Sequence, residues 1–278
     1  AARCRSRADR SCIAQGREVS ARGAQCFLRF LRVLFNHAHA LVEGVIISAY
    51  AIRANWAFIY VRGEVPNAIR KVANAIEQAR AAGYIGKNVL GSGFDIEVVV
   101  HAGAGAYICG EETALLDSLE GFRGQPRLKP PFPAVAGLYA SPTVINNVET
   151  IANIPYIVDR GVDWFRQFGT EKSPGFKVFA VSGHVKRPGI YEAPLGITMR
   201  ELLDYAGGMR DGRPVKFWLP GGSSVPMLTA DHLDTPMTYE DMAAAGTMLG
   251  TGTPMLFDDT VSVVKAVTRW LEFYKHES

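Results

Sequence analysis

The segment Gly103-Ala-Gly-Ala-Tyr-Ile-Cys-Gly-Glu-Glu-Thr113 carries more information about this chain than any other. It follows an apolar run at 96–100 that predicts a buried β-strand, and it leads into a helical pattern over 111–119. A glycine-rich turn between a strand and a helix presents backbone N–H groups to an electron-rich ligand. The sequence therefore predicts a binding site at this turn.

The turn matches neither of the two common nucleotide-binding templates. Four residues separate Gly105 from Gly110, which excludes the dinucleotide fingerprint. The same spacing fits a Walker loop, but Glu111 and Glu112 occupy the positions of its lysine and its serine or threonine. Since two carboxylates would repel a triphosphate, we expect the turn to hold a ligand other than ATP.

Helix and strand patterns alternate around the turn, which predicts an α/β fold with a parallel sheet. A helix is expected over 41–54, then a strand over Trp56–Val61 that is covered on both faces. A second helix is expected over 66–82, with Pro66 in its first turn and Gly83 as its stop. Asn146 and Asn147 are placed to cap a helix that reaches about residue 158.

The pattern changes after residue 160, where short strands surround one helix. Thr198 and Glu201 form a capping box that predicts a helix over 198–205. The predicted strands lie at 177–182, 190–193, 215–219 and 254–257. This arrangement predicts a small β-grasp domain. An amphipathic helix follows from Thr260, and its apolar face is formed by Val264, Val267, Leu271 and Tyr274.

Composition and charge exclude several classes of function. Hydrophobic residues make up 48% of the chain and charged residues 21%, which is typical of a soluble globular protein. Residues 1–36 hold eight arginines and two acidic residues, whereas residues 37–278 hold 22 basic and 25 acidic residues. The mildly acidic body predicts no nucleic-acid partner. The longest apolar run, at 44–52, is too short to span a bilayer.

The basic segment 1–36 has several possible interpretations, and the cysteines form no recognisable motif. The segment fits a transit peptide, a disordered basic tail or sequence from another reading frame. Three of the four cysteines (Cys4, Cys12, Cys26 and Cys109) lie within it. They form no Cys-x-x-Cys pair, so no zinc site and no complete cluster motif is predicted. We expect a reduced, intracellular setting and a core position for Cys109.

Three separate segments, at 105–116, 126–133 and 145–149, resemble one family. It is the NADH-oxidising flavoprotein subunit of NADH:quinone oxidoreductase, the 51-kDa or F subunit of respiratory complex I. The resemblance extends over 37–278. It implies an FMN- and NADH-binding α/β domain at 37–165, a β-grasp domain of the soluble-ligand-binding type at 166–259, and the first helix of an iron–sulfur helical domain at 260–278. Residues 1–36 stay an unassigned basic leader.

The resemblance also implies which residues hold FMN and NADH. Those implied to line the flavin are Gly103, Gly105, Gly110, Glu111, Glu112, Asn146 and Asn147. Those implied to contact NADH are Tyr107, Glu112, Lys129 and Phe132, and Glu112 is the candidate catalytic residue. Side-chain chemistry agrees, because a phenylalanine ring can stack on adenine and a lysine can meet ribose or pyrophosphate. Taken singly, Lys129 also fits a solvated cation and Phe132 a core residue.

The chain departs from the family at both ends. Residues 1–36 do not match the family's first glycine-rich loop, and the cysteine ligands of its iron–sulfur cluster, which would follow Ser278, are absent from the sequence. We therefore expect an incomplete subunit. The implied partners are other hydrophilic subunits, notably a small thioredoxin-like iron–sulfur subunit. The implied location is peripheral, on the cytoplasmic side of the bacterial plasma membrane.

Three functions follow as hypotheses. The first is hydride transfer from NADH to FMN, with electron delivery to an iron–sulfur chain. The second is the equivalent role in a soluble NAD-linked formate dehydrogenase or hydrogenase, whose flavoprotein subunits resemble the same family. The third is a non-catalytic binding or assembly module that holds FMN weakly or not at all.

Overall fold

The computed structural model describes residues 37–277. The basic segment 1–36, its three cysteines and Ser278 lie outside the described residues. The described chain forms two compact units. The first unit consists of residues 37–159 and 271–277, and the second unit is Arg160–Trp270.

Helices and strands alternate in the first unit, as the sequence predicts. In chain order they are α1 (Ala38–Ile52), β1 (Trp56–Val61), α2 (Pro66–Ala81), β2 (Glu97–Ala102), α3 (Glu112–Leu119), α4 (Pro133–Ala136) and α5 (Val148–Arg160). Strands β1 and β2 pair in parallel, with Trp56 opposite Glu97 and Val61 opposite Ala102. The predicted parallel sheet is therefore confirmed.

Local sequence explains the ends of α2 and the packing of α1. Pro66 occupies the first turn of α2, and Gly83 follows its end with a φ of 81°, a backbone conformation that glycine adopts without steric cost. On α1, Gly44 lies directly against the backbone of Ile151 in α5, where a methyl group would overlap the carbonyl oxygen. The absence of a side chain thus permits these two helices to pack closely.

The expectation that β1 is covered on both faces is wrong. Ile59 and Val61 are buried, but Trp56 is 62% exposed and Phe58 is also exposed. The rings of Trp56 and Phe58 stack 6.3 Å apart on the uncovered face. Because side chains alternate between the two faces of a strand, an all-apolar strand does not show which face is covered.

The second unit is built around a mixed sheet and one capped helix. Its elements are α6 (Val162–Arg166), β3 (Phe176–Gly183), β4 (Gly189–Pro194), α7 (Met199–Tyr205), β5 (Val215–Leu219), β6 (Leu228–Thr229), α8 (Tyr239–Ala244) and β7 (Met255–Asp258). The strand order is β4-β3-β7-β5-β6, with β3 and β7 parallel and the other neighbours antiparallel. Thr198 and Glu201 form the predicted capping box of α7. Buried Phe179, Leu202 and Trp218 lie in the core between helix and sheet.

The last helix, α9 (Val263–Glu277), begins in the second unit and ends in the first. Its predicted apolar face is not buried, since none of its described residues is buried and both Val264 and Leu271 are exposed. None of the helices within residues 37–277 combines the length and the apolar character that crossing a bilayer requires.

Candidate functional site

The carboxyl ends of the two parallel strands bring two loops to the same edge of the sheet. Residues 62–65 follow β1, and the glycine turn at 103–111 follows β2. The N–H of Gly103 donates to the carbonyl of Val61 at 2.8 Å, which ties the two strand ends together. In open α/β sheets, ligands bind in the crevice outside the carboxyl ends of the strands. The glycine turn therefore lies where such folds place their ligands.

Glycine residues permit an unusually close approach of the two loops. A methyl group on Gly63 would overlap the carbonyl oxygen of Gly103, and one on Gly103 would overlap the ring of Tyr60. Gly105 has a φ of 92°, which any residue with a Cβ adopts only with strain. These glycines are required by the backbone path of the turn itself.

Gly110 differs from the other glycines of the turn in the space around it. Within residues 37–277, a methyl group at this position would meet no atom within 4 Å. Gly110 ends a short 3₁₀ turn, Tyr107–Gly110, in which the Tyr107 ring is exposed and packs edge-to-face on Phe273 at 5.2 Å. Cys109, in the same 3₁₀ turn, is buried against Gly124, which confirms its predicted core position.

Glu111 is the N-cap of α3. Its Oε2 accepts hydrogen bonds from Thr113 N (2.9 Å), Thr113 Oγ1 (2.6 Å) and Ala114 N (2.9 Å). Burial alone would raise the pKa of Glu111, but these bonds and nearby Lys129 hold that pKa below its ordinary value. The capping role was not expected from the sequence. A contact of Glu111 with flavin stays a prediction.

Lys129 joins the proline-rich segment, residues 126–133, to the glycine turn. Its Nζ forms an ion pair with Oε1 of Glu112, 17 positions earlier in the sequence, and lies 3.7 Å from Oε1 of Glu111. The hydrogen bond to Glu112 raises the pKa of Lys129 above its ordinary value. Three of the predicted site residues thus lie in one cluster.

The other predicted residues lie on other segments of the same unit. Phe132 is 58% exposed and immediately precedes α4. Asn146 and Asn147 are exposed at the start of α5, and Asn147 Oδ1 accepts a hydrogen bond from Glu149 N at 2.9 Å. The predicted helix-capping role is therefore confirmed for Asn147. Within residues 37–277, the described hydrogen bonds of Asn147 run to its own helix.

Two charged residues beside the turn were not among the predicted site residues. Arg62 and Glu64 form a 2.6 Å ion pair in the loop after β1, and a methyl group on Gly105 would lie 3.6 Å from Glu64 Oε1. The hydrogen bond from Arg62 lowers the pKa of Glu64. The signal was present in the sequence, since Arg62-Gly-Glu64 directly follows a predicted strand whose carboxyl end meets that of β2.

The first unit contains several groups of the types that bind flavin nucleotides. Among the described residues Gly110 leaves open space, the rings of Tyr107 and Phe132 are exposed, and Lys129 supplies a cation. Planar rings and phosphates are recognised by such groups. Within residues 37–277, His, Cys, Asp and Glu side chains form no cluster of three or more that could hold a metal ion.

Comparison with known families assigns both parts of the chain. The family model of the Nuo51 FMN-binding domain matches residues 31–156, and that of the SLBB domain matches residues 178–228. The F subunit of NADH-quinone oxidoreductase from Mycobacterium tuberculosis strain H37Rv is 69% identical over 240 residues, which cover 86% of this chain and 54% of that protein. The corresponding protein of Escherichia coli K12 is 50% identical over 241 residues, or 86% and 54% of the two chains. The chain thus spans about half the length of these relatives.

A solved structure has the same fold. The crystal structure of an NAD+-reducing [NiFe]-hydrogenase in the H2-reduced state matches with a TM-score of 0.79 and 34% sequence identity. The match covers 90% of this chain and 41% of that one.

Proposed function

Because the chain belongs to the family of NADH-quinone oxidoreductase flavoprotein subunits, we propose that it binds FMN and NADH at the glycine turn and serves hydride transfer between them. The observation that carries this proposal is the ion pair between Glu112 and Lys129. This ion pair brings the acidic end of the turn into contact with the proline-rich segment. The two elements are separate in sequence, and both belong to the proposed site.

The flavin is assigned to the turn itself. Gly103 and Gly105 shape the backbone, Gly110 leaves open space, and Asn146 and Asn147 offer amide donors and acceptors to a flavin edge. When bound, FMN supplies a ring that accepts the hydride of NADH and passes the electrons onward.

The residues of the chain act by binding and orientation, not by proton transfer. We assign Lys129 to the ribose or pyrophosphate of NADH and Glu112 to the nicotinamide carboxamide or ribose, and the ion pair between them supports a shared site. The exposed rings of Tyr107 and Phe132 provide faces for stacking. Fixing the nicotinamide against the flavin is worth several orders of magnitude in rate, because orientation replaces a bimolecular encounter.

Substitution of Glu112 tests the assignment. We expect Glu112→Ala to lower NADH:ferricyanide activity by about 10²-fold while bound flavin, measured by its fluorescence, stays near the wild-type amount. The matched control is Glu43→Ala, which removes an exposed carboxylate from α1 in the same unit. Equal ferricyanide reduction by wild type and Glu112→Ala would show that the pocket is wrongly assigned. Absence of FMN from the wild-type protein would favour the non-catalytic module instead.

The alternative function is that of the flavoprotein subunit of a hydrogenase, which would have different partner subunits. We favour a respiratory complex, because relatives named as NADH-quinone oxidoreductase subunits reach 69% identity while the hydrogenase chain shares 34%. The proposed partners are other subunits of that complex, including a small thioredoxin-like iron–sulfur subunit that would take electrons from the flavin. The proposed location is peripheral, at the cytoplasmic face of the plasma membrane.

A further inference from the structure

Arg127 connects the proline-rich segment to the second half of α3. It lies two positions before Lys129, and its half-buried side chain forms ion pairs with Asp117 (Nε to Oδ1, 2.7 Å) and Glu120 (Nη2 to Oε2, 2.8 Å). Both carboxylates belong to α3 or to the residue that ends it. These hydrogen bonds raise the pKa of Arg127 above its ordinary value. A single guanidinium thus attaches the proline-rich segment to α3, the helix that follows the glycine turn.

The same residue closes the segment into a loop. Nη1 of Arg127 donates to the carbonyl of Gly137 at 2.9 Å, ten residues further along the chain. Lys129 and Phe132, the two proposed NADH contacts of this segment, both lie between these anchored ends. Glu120, a partner of Arg127, also accepts a hydrogen bond from Tyr139 N at 2.7 Å through its other oxygen. Glu120, the residue that follows α3, therefore holds both the start of the loop and the segment just after its end.

A third connection runs to the acidic turn. The backbone N–H of Arg127 donates to Thr113 Oγ1 at 2.8 Å, and that hydroxyl donates to Glu111 Oε2 at 2.6 Å. Thr113 is buried, so this relay is shielded from water. The cap of α3 and the start of the loop thus share one hydrogen-bond chain, and Glu112 follows the cap directly.

We propose that Arg127 is a positioning residue for the dinucleotide: it holds the 127–137 loop so that Lys129 and Phe132 stand in register with Glu112. The inference rests on the proposed NADH site. Arg127 itself touches neither substrate nor flavin in this assignment. Lysine cannot replace it, since an ammonium lacks the planar fork that reaches two carboxylates and a carbonyl together.

The test compares Arg127→Gln, Arg127→Lys and the control Arg123→Gln, which alters an exposed arginine on the same connection. The variants are made in the flavoprotein as it occurs with its native partners. Binding of ADP-ribose, which has the adenosine and pyrophosphate but no nicotinamide, is measured by calorimetry, and KM and kcat are measured for NADH with ferricyanide. We expect both Arg127 variants to raise the Kd of ADP-ribose and the KM of NADH about tenfold, with kcat within about twofold of wild type and flavin content unchanged.

The outcomes separate this inference from the function on which it rests. Wild type that binds no FMN or fails to oxidise NADH would overturn the proposed function. An active wild type whose Arg127→Lys variant keeps its flavin, the wild-type Kd and the wild-type KM would overturn the positioning role alone. If Arg127→Gln loses flavin or does not fold, the decision passes to Arg127→Lys, which retains the charge. A fall of about tenfold in the kcat of the Arg127 variants, with an unchanged KM for NADH, would also contradict the proposal.

Discussion

Glu111 illustrates how one carboxylate of the acidic turn is used structurally. Its three hydrogen bonds satisfy donors at the start of α3, so Glu111→Ala should lower the free energy of unfolding by about 1 kcal/mol. The folded-state pKa of Glu111 lies below its ordinary value. Its stabilisation is therefore present above the unfolded-state pKa and is lost as the pH falls through the folded-state pKa.

Urea denaturation at neutral pH and at about pH 3 measures this effect. The difference between wild type and Glu111→Ala should be largest at neutral pH and shrink in acid. Glu43→Ala, which alters an exposed carboxylate on α1, serves as the control and should change stability little at either pH. A difference that grows in acid would contradict the capping role.

The glycines of the turn and of the adjoining loop 62–65 should divide into two classes on substitution. Gly63→Ala forces a methyl group onto the carbonyl oxygen of Gly103, so it should destabilise the first unit by about 1–3 kcal/mol. The methyl group of Gly110→Ala meets no atom of the described chain within 4 Å. The variant should therefore fold with wild-type stability, yet lose FMN because the methyl group fills the space assigned to the flavin. Thermal unfolding and flavin content measure the two effects. Full flavin retention by Gly110→Ala would place the ligand elsewhere.

At the residue scale, the sequence indicated which side chains are candidates for the site better than it indicated which residues they contact. The turn, Lys129 and Phe132 were identified as candidates because their motifs are contiguous in sequence and resemble a family. Glu64 and Arg127 were not, since their roles depend on contacts made across the fold. Arg127 Nη1 bonds to Gly137, and Glu64 lies beside Gly105, 41 positions away. The position of Arg62-Gly-Glu64 directly after a predicted strand indicated that Glu64 lies near the turn, but no local pattern indicates the partners of Arg127.

At the scale of elements, local signals predicted boundaries well and burial less well. The capping box of α7 and the stop at Gly83 are read from adjacent residues, and both are confirmed. Helix α8 was missed although Thr238 Oγ1 accepts a hydrogen bond from Asp241 N, a capping signal that could have located it. For α9 the helical period was right, but none of its described residues is buried. Periodicity shows which residues share a face, not what covers that face.

Strand β7 ends in a buried carboxylate that should govern the acid stability of the second unit. Asp258 accepts hydrogen bonds from Thr260 Oγ1 (2.5 Å) and Thr260 N (3.0 Å), and its Oδ2 lies 2.8 Å from Nδ1 of His184. The bond from Thr260 lowers the pKa of Asp258 to about 2. Because that pKa is depressed on folding, the stabilisation is complete above about pH 5 and is lost as the pH falls towards 2.

Asp258→Asn should therefore cost about 2 kcal/mol of unfolding free energy at neutral pH and much less near pH 2. The neighbouring variant Asp259→Asn is the control, since that carboxylate is exposed and pairs with Arg213 at the surface. Denaturant titrations between about pH 2 and pH 7 provide the measurement. A constant difference across this range would show that Asp258 acts by packing and not by charge.

At the scale of the whole molecule, the assembly in which the chain works decides between the two enzyme hypotheses. The described chain has two units, one bearing the proposed flavin site and one matching the SLBB domain, and a hydrogenase chain has the same fold. The fold therefore does not distinguish the two enzymes, and the partner subunits must be identified.

We expect an affinity-tagged chain, expressed in its native host, to copurify with membrane-embedded subunits. It should sediment in the same fraction as the NADH-dependent quinone reductase activity. Copurification with nickel–iron or formate-oxidising subunits in the supernatant would instead assign it to the alternative enzymes. A tagged Glu112→Ala chain is the control. It should recover the same partners while NADH oxidation falls about 10²-fold, because the substituted carboxylate belongs to the proposed NADH site.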